Sequence, residues 1–502
     1  MNNIHKIDFY IEKLKKTGLL IEVTGSTDAE LTSITFDSRK VEHGTLFICK
    51  GAHFKVDYLK SSIELGAAAY VSETKYDVSG ATAIIVKNVR EAMPILAKAF
   101  YGDLSESLNM IGITGTKGKS TITYFTKHIL DDYMKSLGSG EIALCSGIRN
   151  YDGVIDEESQ LTTPENLKLF EYMNNAVNSG IKYMVMEVSS QALKYNRVDC
   201  VQYKVACFNN IGEDHISPKE HADFKDYFGS KLRIFKQADK ACVCLDTDHI
   251  DEILASAKNV PTLTYSVKDE AANIYAYNIK SVEGNVSFDV RAKGIDGYDD
   301  FDEHIKLASF GTINVVNALA AIAITTILGV PMEFIKSGLS KALTPGRMQV
   351  FRSKDGKKIG LVDYAHNKLS YELLLSSIKN EFPNRDIIMA FGSTGGKALN
   401  RREELGTEAG KYCKHVILTE DDGGAESVTK IGEEIASYFR KDCTYEIIED
   451  RPSAVHKLCK MADETNIVIA AGKAMESFQK RDGFSVEIES DVAVFEKEFN
   501  NN

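Results

Sequence analysis

Gly115-Thr116-Lys117-Gly118-Lys119-Ser120-Thr121 lies between the strand-like run Leu108 to Thr114 and the helix-like run Tyr124 to Leu130. Glycines let backbone N–H groups close around phosphate oxygens, and a helix N-terminus adds positive potential. Lys119 would neutralise phosphate charge, and the Ser120 hydroxyl would reach a bound Mg2+. The strict phosphate-loop string would need glycine at position 113, where Ile113 stands, so this is a shortened G-x-x-G-K-S form. The bland alternative is a tight strand-to-helix turn whose Lys and Ser are incidental.

Other residues suit the same chemistry. Glu187 follows the apolar run Met184-Val185-Met186, at a strand carboxyl end where α/β proteins place ligand groups, and could hold Mg2+ across from Ser120. His215, in Glu213-Asp214-His215, is either a ligand or a surface histidine after a helix-starting Asp. Lys231, in Gly229-Ser230-Lys231-Leu232-Arg233, reads by itself as a solvated helix lysine. Thr162-Thr163-Pro164 reads as a helix start with Thr163 as N-cap and Pro164 at N1, which would also offer donors to an anion. Arg197 carries a donor fork suited to carboxylate or diphosphate, and Phe36-Asp37-Ser38-Arg39 alone is an ordinary polar turn. The sequence offers no compelling nucleophile–His–Asp arrangement.

Alternating strand and helix patterns must position these groups. From Thr32 to Phe100, runs such as Thr45–Cys49 and Ala83–Val86 alternate with helical stretches such as Arg90 to Phe100, predicting a small α/β unit. Polar residues 101–107 then lead into the phosphate loop, and alternation continues through Tyr183–Met186, Lys204–Phe208 and a long helix from about Asn314. After Pro345-Gly346, the runs Ile359–Val362, Asp386–Phe391, His415–Leu418 and Asn466–Ala470 predict a second doubly wound sheet. The expected fold class is α/β in three domains: 1–105 small α/β, 106–343 a central phosphate-loop domain with a mostly parallel sheet, and 344–502 Rossmann-like.

Composition agrees with this plan. At 502 residues and about 150 per domain, three cores are affordable in length. The net charge of −12 offers no global basic field, so nucleic acid is not an expected partner. Nine scattered cysteines, with Cys242 and Cys244 alternating as in a strand, read as buried thiols of a reducing compartment. The N-terminus lacks an apolar signal core, and Asn314 and Asn317 flank or interrupt the most apolar long run, so a cytoplasmic protein without membrane insertion is expected, and a monomer is the working expectation.

The segment 112–121 resembles the ATP loop of the Mur ligases. In order, Thr162-Thr163-Pro164-Glu165, Met186-Glu187-Val188-Ser189-Ser190, Asn210-Ile211-Gly212-Glu213-Asp214-His215, Asn314-Val315-Val316-Asn317, Pro345-Gly346-Arg347-Met348 and Asp363-Tyr364-Ala365-His366-Asn367 also resemble that family's signatures. The likeness covers nearly the whole chain. Lys117, Gln191 and Gly392-Ser393-Thr394-Gly395 are similar to the members that add lysine as the third peptide residue of the peptidoglycan precursor.

This resemblance implies ATP and two Mg2+ ions as cofactors, with UDP-N-acetylmuramoyl-L-alanyl-D-glutamate and L-lysine as substrates. It implies an acyl-phosphate intermediate attacked by the incoming amine. It makes Lys119, Glu187, His215 and Lys231 catalytic, with Ser120, Glu187, His215 and a carbamylated Lys231 as metal ligands. Asn317, Arg347 and Asp363 join residues 115–121 around ATP. Ser38, Thr162, Thr163, Ser189 and Arg197 would contact the uridine-linked muramoyl dipeptide. Arg402, Gly472 and Glu476 would hold the amino acid beside the specificity loop Asp421-Asp422-Gly423-Gly424. Lysine-adding relatives usually carry Asp-Asp-Pro-Asn or Asp-Asn-Pro-Ala there, and diaminopimelate-adding ones Asp-Asn-Pro-Arg. The acidic loop, with no arginine, is expected to welcome a cationic side chain. Addition of diaminopimelate or ornithine, and a non-catalytic nucleotide-binding regulator, stay open as alternatives. Folylpolyglutamate synthase would lack the first domain.

Overall fold

A computed structural model describes residues 4–51, 54–213, 216, 220–282, 284–396 and 399–500. The chain divides into two compact units, one of Met1–Tyr275, Ala292–Asp300 and Leu319–Ile335, the other of Ala276–Arg291, Phe301–Ala318 and Lys336–Asn502.

The first unit carries two large sheets and a two-stranded pairing of His5–Lys6 with Glu30–Leu31. Strands β1 (Leu20–Thr24), β2 (Ser33–Thr35), β3 (Thr45–Ile48), β4 (Ala67–Ser72) and β5 (Thr82–Val86) form a sheet of order β1-β5-β4-β3-β2, parallel except for β1. Helix α1 (Val89–Tyr101) starts where the Asn88 side chain accepts from the N–H groups of Arg90 and Glu91. Its apolar face packs on the helix Asn166–Asn178, and Tyr101 stacks on Phe170 there, so one apolar core continues from Ile7 to Ala257.

The second sheet of this unit begins with β6 (Asn109–Thr114), whose Met-Ile-Gly-Ile-Thr run is buried on both faces as a central parallel strand requires. After it come α2 (Lys119–Ser136), β7 (Ala143–Cys145), β8 (Arg149–Tyr151), β9 (Asp156–Glu158), α3 (Asn166–Asn178), β10 (Tyr183–Glu187) and α4 (Ser190–Lys194). The run continues with β11 (Tyr203–Phe208), α5 (Phe224–Leu232), β12 (Ala238–Cys244) and β13 (Thr262–Ser266). The strand order is β9-β8-β7-β10-β6-β11-β12-β13, parallel from β7 onward. The carboxyl ends of β6, β10 and β11 therefore meet at one edge, where α/β sheets present their ligand groups. Cys242 and Cys244 lie buried in β12; all nine cysteines are free thiols and only Cys200 is exposed.

The second unit holds β14 (Gln349–Arg352), β15 (Ile359–Asp363), β16 (Asp386–Phe391), β17 (Cys413–Leu418), β18 (Thr444–Ile447) and β19 (Asn466–Ala471). Their order is β14-β15-β19-β16-β17-β18, parallel except for β14, as the alternation after Pro345 predicts. The helix expected from about Asn314 runs Ile313–Ile327.

One expected helix start is displaced. Helix α3 begins at Asn166 with Glu165 at the N-cap, so Thr163 does not cap it. The reason is a competing partner, since the Thr163 hydroxyl donates to the Glu187 carbonyl at 2.9 Å and accepts from the Ser189 N–H at 3.0 Å.

Gly112 shows how tightly the strands before the phosphate loop pack. A Cβ there would lie 2.8 Å from two ring carbons of Tyr203 on β11. Gly112→Ala should therefore destabilise the chain by about 1–3 kcal/mol through overpacking, read as a lower urea midpoint at unchanged slope.

Candidate active site

The loop between β6 and α2 is a nucleotide-type turn. Gly118 takes φ +85°, which glycine adopts without a Cβ penalty, and α2 starts at the next residue. Two asparagines after β11 hold the loop: the Lys117 N–H donates to Asn210 Oδ1 at 2.8 Å, while Asn209 and Asn210 donate to the Lys117 carbonyl at 3.2 and 3.1 Å. The Thr116 hydroxyl lies 2.9 Å from Tyr227 Oη on α5 and accepts from the Gly212 N–H at 3.1 Å. Ser120 is buried in the first turn of α2, and Thr121 follows it, half-buried.

Two ammonium groups converge on one carbonyl here. Lys119 Nζ donates to the Gly115 oxygen at 2.9 Å, and Lys231 Nζ, from α5, donates to the same oxygen at 2.9 Å. Lys231 is 1% exposed and lies 4.8 Å above the Tyr227 ring, unlike the solvated helix lysine its sequence alone suggests.

Glu187 ends β10, buried, with Oε1 accepting from the Gly147 N–H at 2.8 Å. Gly147 also lies against Thr162, because a Cβ there would be 3.5 Å from the Thr162 hydroxyl and 3.7 Å from Glu187 Oε1. Thr163 ties this strand end to Ser189, whose hydroxyl caps α4 by accepting from the Ala192 N–H at 3.1 Å. The hydroxyl of Ser120 and the carboxylate of Glu187 are hard oxygen donors of the kind Mg2+ takes, usually one or two per ion with phosphates and waters completing the shell. The donor set therefore fits that ion. Among the described residues no three His, Cys, Asp or Glu side chains form a closed metal cage. His215 lies outside the described residues.

Arg197 sits half-buried, its Nε 3.1 Å from Glu165 Oε1 and its Nη1 donating to the Thr163 carbonyl at 3.4 Å. Glu165 is also paired with Lys50 from the end of β3, whose ammonium lies 4.6 Å from the Phe36 ring. Burial lowers the Lys50 pKa, while the Glu165 charge pulls it back up. Two cations, one from the turn after α4 and one from beyond β3, thus share one carboxylate. Ser38 opens a short 3-10 turn after β2, fixed by Asp37, which accepts from the Arg39 backbone at 3.1 Å. The Arg39 side chain beside it holds the Asp37 carboxyl down at about 2.

The second unit assembles its own set. Arg347 lies with its guanidinium 4.3 Å from the Tyr364 ring centre, and Asp363 ends β15, accepting from the Met348 and Ala365 N–H groups at 2.7 and 2.8 Å. Asn317 donates to Asn314 Oδ1 at 2.9 Å. Glu476 accepts from Tyr364 Oη at 2.8 Å and pairs with Lys473 at 2.5 Å. Gly472 has φ +111° and lies so close to Asp421 that a Cβ would be 2.6 Å from its Oδ2. Although Asp421 is only half-buried as a residue, its carboxyl lies deep, and burial pushes its pKa up against the pull of Arg451 and Lys473.

Two assignments look different in space than in sequence. Buried Arg402 already closes its fork on Glu426, with Nη1 at 2.9 Å from Oε1 and Nη2 at 2.6 Å from Oε2, and Nη1 also reaches Glu434 at 2.6 Å. The Arg402 hydrogen bonds, helped by the Gly396 N–H, hold the Glu426 carboxyl below its ordinary value. In the 421–424 loop, Asp422 accepts from Lys473 Nζ and from the Lys480 N–H, both at 3.0 Å. The acidic loop thus carries its own ammonium, and Lys473 is 1% exposed. Gly423 precedes Gly424, which takes φ +62° with open space where a Cβ would be.

Sequence reasoning missed Lys473, Glu426 and His221. Lys473 and Glu426 adjoin assigned positions, and their one signal was charge. His221 is buried with Nε2 3.0 Å from Ser190 Oγ and Nδ1 3.2 Å from Asp226 Oδ2. This Ser190–His221–Asp226 contact is spatial, and linear spacing does not reveal it.

Residues 113–325 match the Mur ligase middle domain, and residues 346–474 match the Mur ligase glutamate ligase domain. The chain is 37% identical over 504 residues to a UDP-N-acetylmuramyl-tripeptide synthetase of Ligilactobacillus salivarius (strain UCC118), covering 95% of this chain and 96% of that protein. It is 35% identical over 475 residues to the UDP-N-acetylmuramoyl-L-alanyl-D-glutamate–L-lysine ligase of Enterococcus faecalis (strain ATCC 700802 / V583), covering 93% and 91%. A solved UDP-N-acetylmuramoyl-L-alanyl-D-glutamate–2,6-diaminopimelate ligase shares the fold, with a TM-score of 0.66 at 24% identity over 95% of this chain and 97% of that one. With relatives this similar along nearly its whole length, the chain belongs to the Mur ligase family.

Proposed function

We propose that the chain uses ATP to join L-lysine to the D-glutamate of UDP-N-acetylmuramoyl-L-alanyl-D-glutamate, in the cytoplasm, during peptidoglycan precursor synthesis. The observation that carries this reading is the convergence of Lys119 and Lys231 on the Gly115 carbonyl, at the sheet edge where Glu187 also ends its strand. Full-length likeness to proteins named as lysine ligases supports the choice of amino acid. No helix among the described residues is long and apolar enough to cross a membrane. We also propose that residues 1–105, 106–343 and 344–502 act as uridine-nucleotide, ATP and amino-acid domains.

In this reading the D-glutamate carboxylate attacks the γ-phosphorus of ATP, releasing ADP and leaving an acyl phosphate. The lysine amine then adds to the acyl carbon, losing a proton, and phosphate leaves as the amide forms. Negative charge grows on the phosphoryl oxygens and then at the tetrahedral centre, where preorganised cations and N–H groups lower the barrier most. Lys119 supplies a cation, and the loop N–H groups supply donors. Two Mg2+ ions, held by Ser120, Glu187, His215 and Lys231 as its carbamate, would neutralise phosphate charge. Carbamylation of Lys231, an amine taking up CO2 with loss of a proton, would replace the second cation at the Gly115 carbonyl by an anion. Repulsion between neighbouring ammonium groups would become attraction. Thr162, Thr163, Ser189, Arg197 and Ser38 would hold the muramoyl dipeptide and uridine nucleotide; Asn317, Arg347 and Asp363 would face the nucleotide; and Arg402, Gly472, Glu476 and the 421–424 loop would face the amino acid.

Lys119→Ala should abolish phosphate release while shifting the thermal midpoint by no more than about 3 °C, because it removes charge and no core packing. Near-normal turnover by that variant would refute the phosphate-loop assignment. With 13C-labelled bicarbonate, the wild type should show a carbamate carbon signal that Lys231→Ala lacks, and that variant should be nearly inactive. An active wild type without the signal would rule out the modification.

The specificity loop gives a third expectation. A distal carboxylate would meet an acidic loop whose ammonium, Lys473, is already paired with Asp422 and Glu476, and position 424 is glycine, with no arginine to offer it a partner. L-lysine should therefore be used at least about tenfold better than meso-diaminopimelate in kcat/KM. Gly424→Arg meets open space at its Cβ, although φ +62° costs a non-glycine residue about 1–2 kcal/mol, and it should narrow the preference. Equal use of both amino acids by the wild type would overturn the choice of lysine and leave ligase chemistry standing.

A further inference from the structure

His221 is fully buried and none of the proposed chemical steps uses it. Its Nε2 lies 3.0 Å from the hydroxyl of Ser190, the first residue of α4, and its Nδ1 lies 3.2 Å from Oδ2 of Asp226 in the first turn of α5. Asp226 is itself anchored, accepting from Lys194 Nζ at 2.6 Å and from the Ala222 N–H at 3.1 Å. The Lys194 hydrogen bond is the main reason its carboxyl stays below the ordinary value, and His221 adds to it. The imidazole also packs edge-on against the Tyr227 ring, with centroids 5.3 Å apart.

Each arm ends beside a proposed functional group. Ser190 follows Ser189, whose hydroxyl caps α4 and lies 3.3 Å from Thr163 Oγ1. Tyr227 follows Asp226, reaches Thr116 of the phosphate loop through its hydroxyl, and lies under the Lys231 ammonium. Spacing of this kind serves a serine nucleophile elsewhere. Here Ser190 is 4% exposed and His221 0%, which suits holding rather than attack.

We propose that His221 is a positioning residue that ties the substrate-facing turn at Ser189–Ser190 to the helix presenting Tyr227 and Lys231, so that both move as one piece. The imidazole is fixed by its hydrogen bond to Ser190, its Nδ1 contact with Asp226 and its packing on Tyr227, and displacing either helix breaks at least one of these. The kinetic part of this inference rests on the ligase reading; the structural part does not.

The test uses two half-replacements in the full chain. His221→Asn keeps a polar atom near Nδ1, toward Asp226, and His221→Gln keeps one near Nε2, toward Ser190. Phosphate release with ATP, the uridine-linked dipeptide and lysine is measured beside amide hydrogen exchange. Each variant should lose about tenfold in kcat with KM for ATP within about twofold. Exchange should quicken about tenfold over residues 224–232 in the Gln variant and over 190–194 in the Asn variant. If either variant kept wild-type kcat and wild-type protection in both helices, the tie would be refuted. Faster exchange spread over the whole chain in both variants would also refute it, marking a general packing role. A wild type that released no phosphate would count against the ligase reading, and the exchange pattern would still decide the role of His221.

Discussion

The hydrogen bond from Lys231 to the Gly115 carbonyl is the constraint on which the first unit turns. It joins a helix more than a hundred residues downstream to the loop between β6 and α2, and it does so inside protein, at 1% exposure. A buried ammonium is costly unless its surroundings are fixed. Around it the fixing is dense: Asn209 and Asn210 clasp the Lys117 carbonyl, Tyr227 meets Thr116, and Asp223 caps α5 by accepting from the Asp226 N–H at 2.7 Å. The parallel order β10-β6-β11 makes this possible by ending three strands at one edge.

The second unit rests on a different buried charge. Arg451 and Asp491, each 1% exposed, pair through Nη2 and Oδ2 at 2.7 Å. Arg451 also donates to the carbonyls of Glu420 and Ala471, and Asp491 accepts from the Ala474 N–H. One ion pair therefore pins both sides of the proposed amino-acid site, the 421–424 loop and the turn that begins at Gly472. Breaking such a pair leaves an uncompensated interior charge. The same Arg451 charge, with that of Lys473, offsets part of the cost of burying Asp421 beside Gly472.

Much of this was legible in the sequence where the signal was local. The turn between β6 and α2 was legible because its glycines act through backbone geometry within a few residues of one another. Both sheets followed from alternation, and buried cysteines from their apolar neighbours. What the sequence hid was long-range. Lys231 reads as a surface lysine because nothing nearby encodes the carbonyl 116 positions away. Thr163 reads as a helix cap because its competing partners, Glu187 and Ser189, lie on another element. Ser190, His221 and Asp226 meet only through folding, and Arg402 gives no hint that Glu426 will close its fork.

The ammonium of Lys473, held between Asp422 and Glu476, gives the proposed amino-acid site a further property. The protein supplies there the same functional group that a lysine side chain carries, so the acidic residues are already compensated before any ligand arrives. A compensated site exerts a weak long-range field, and discrimination among incoming amino acids then depends on where backbone and side chains leave room. Asp422 and Gly424, with φ +52° and +62°, set that room through their left-handed backbone. A lineage changing its added amino acid would accordingly have to reshape this turn as well as place a new charge in it.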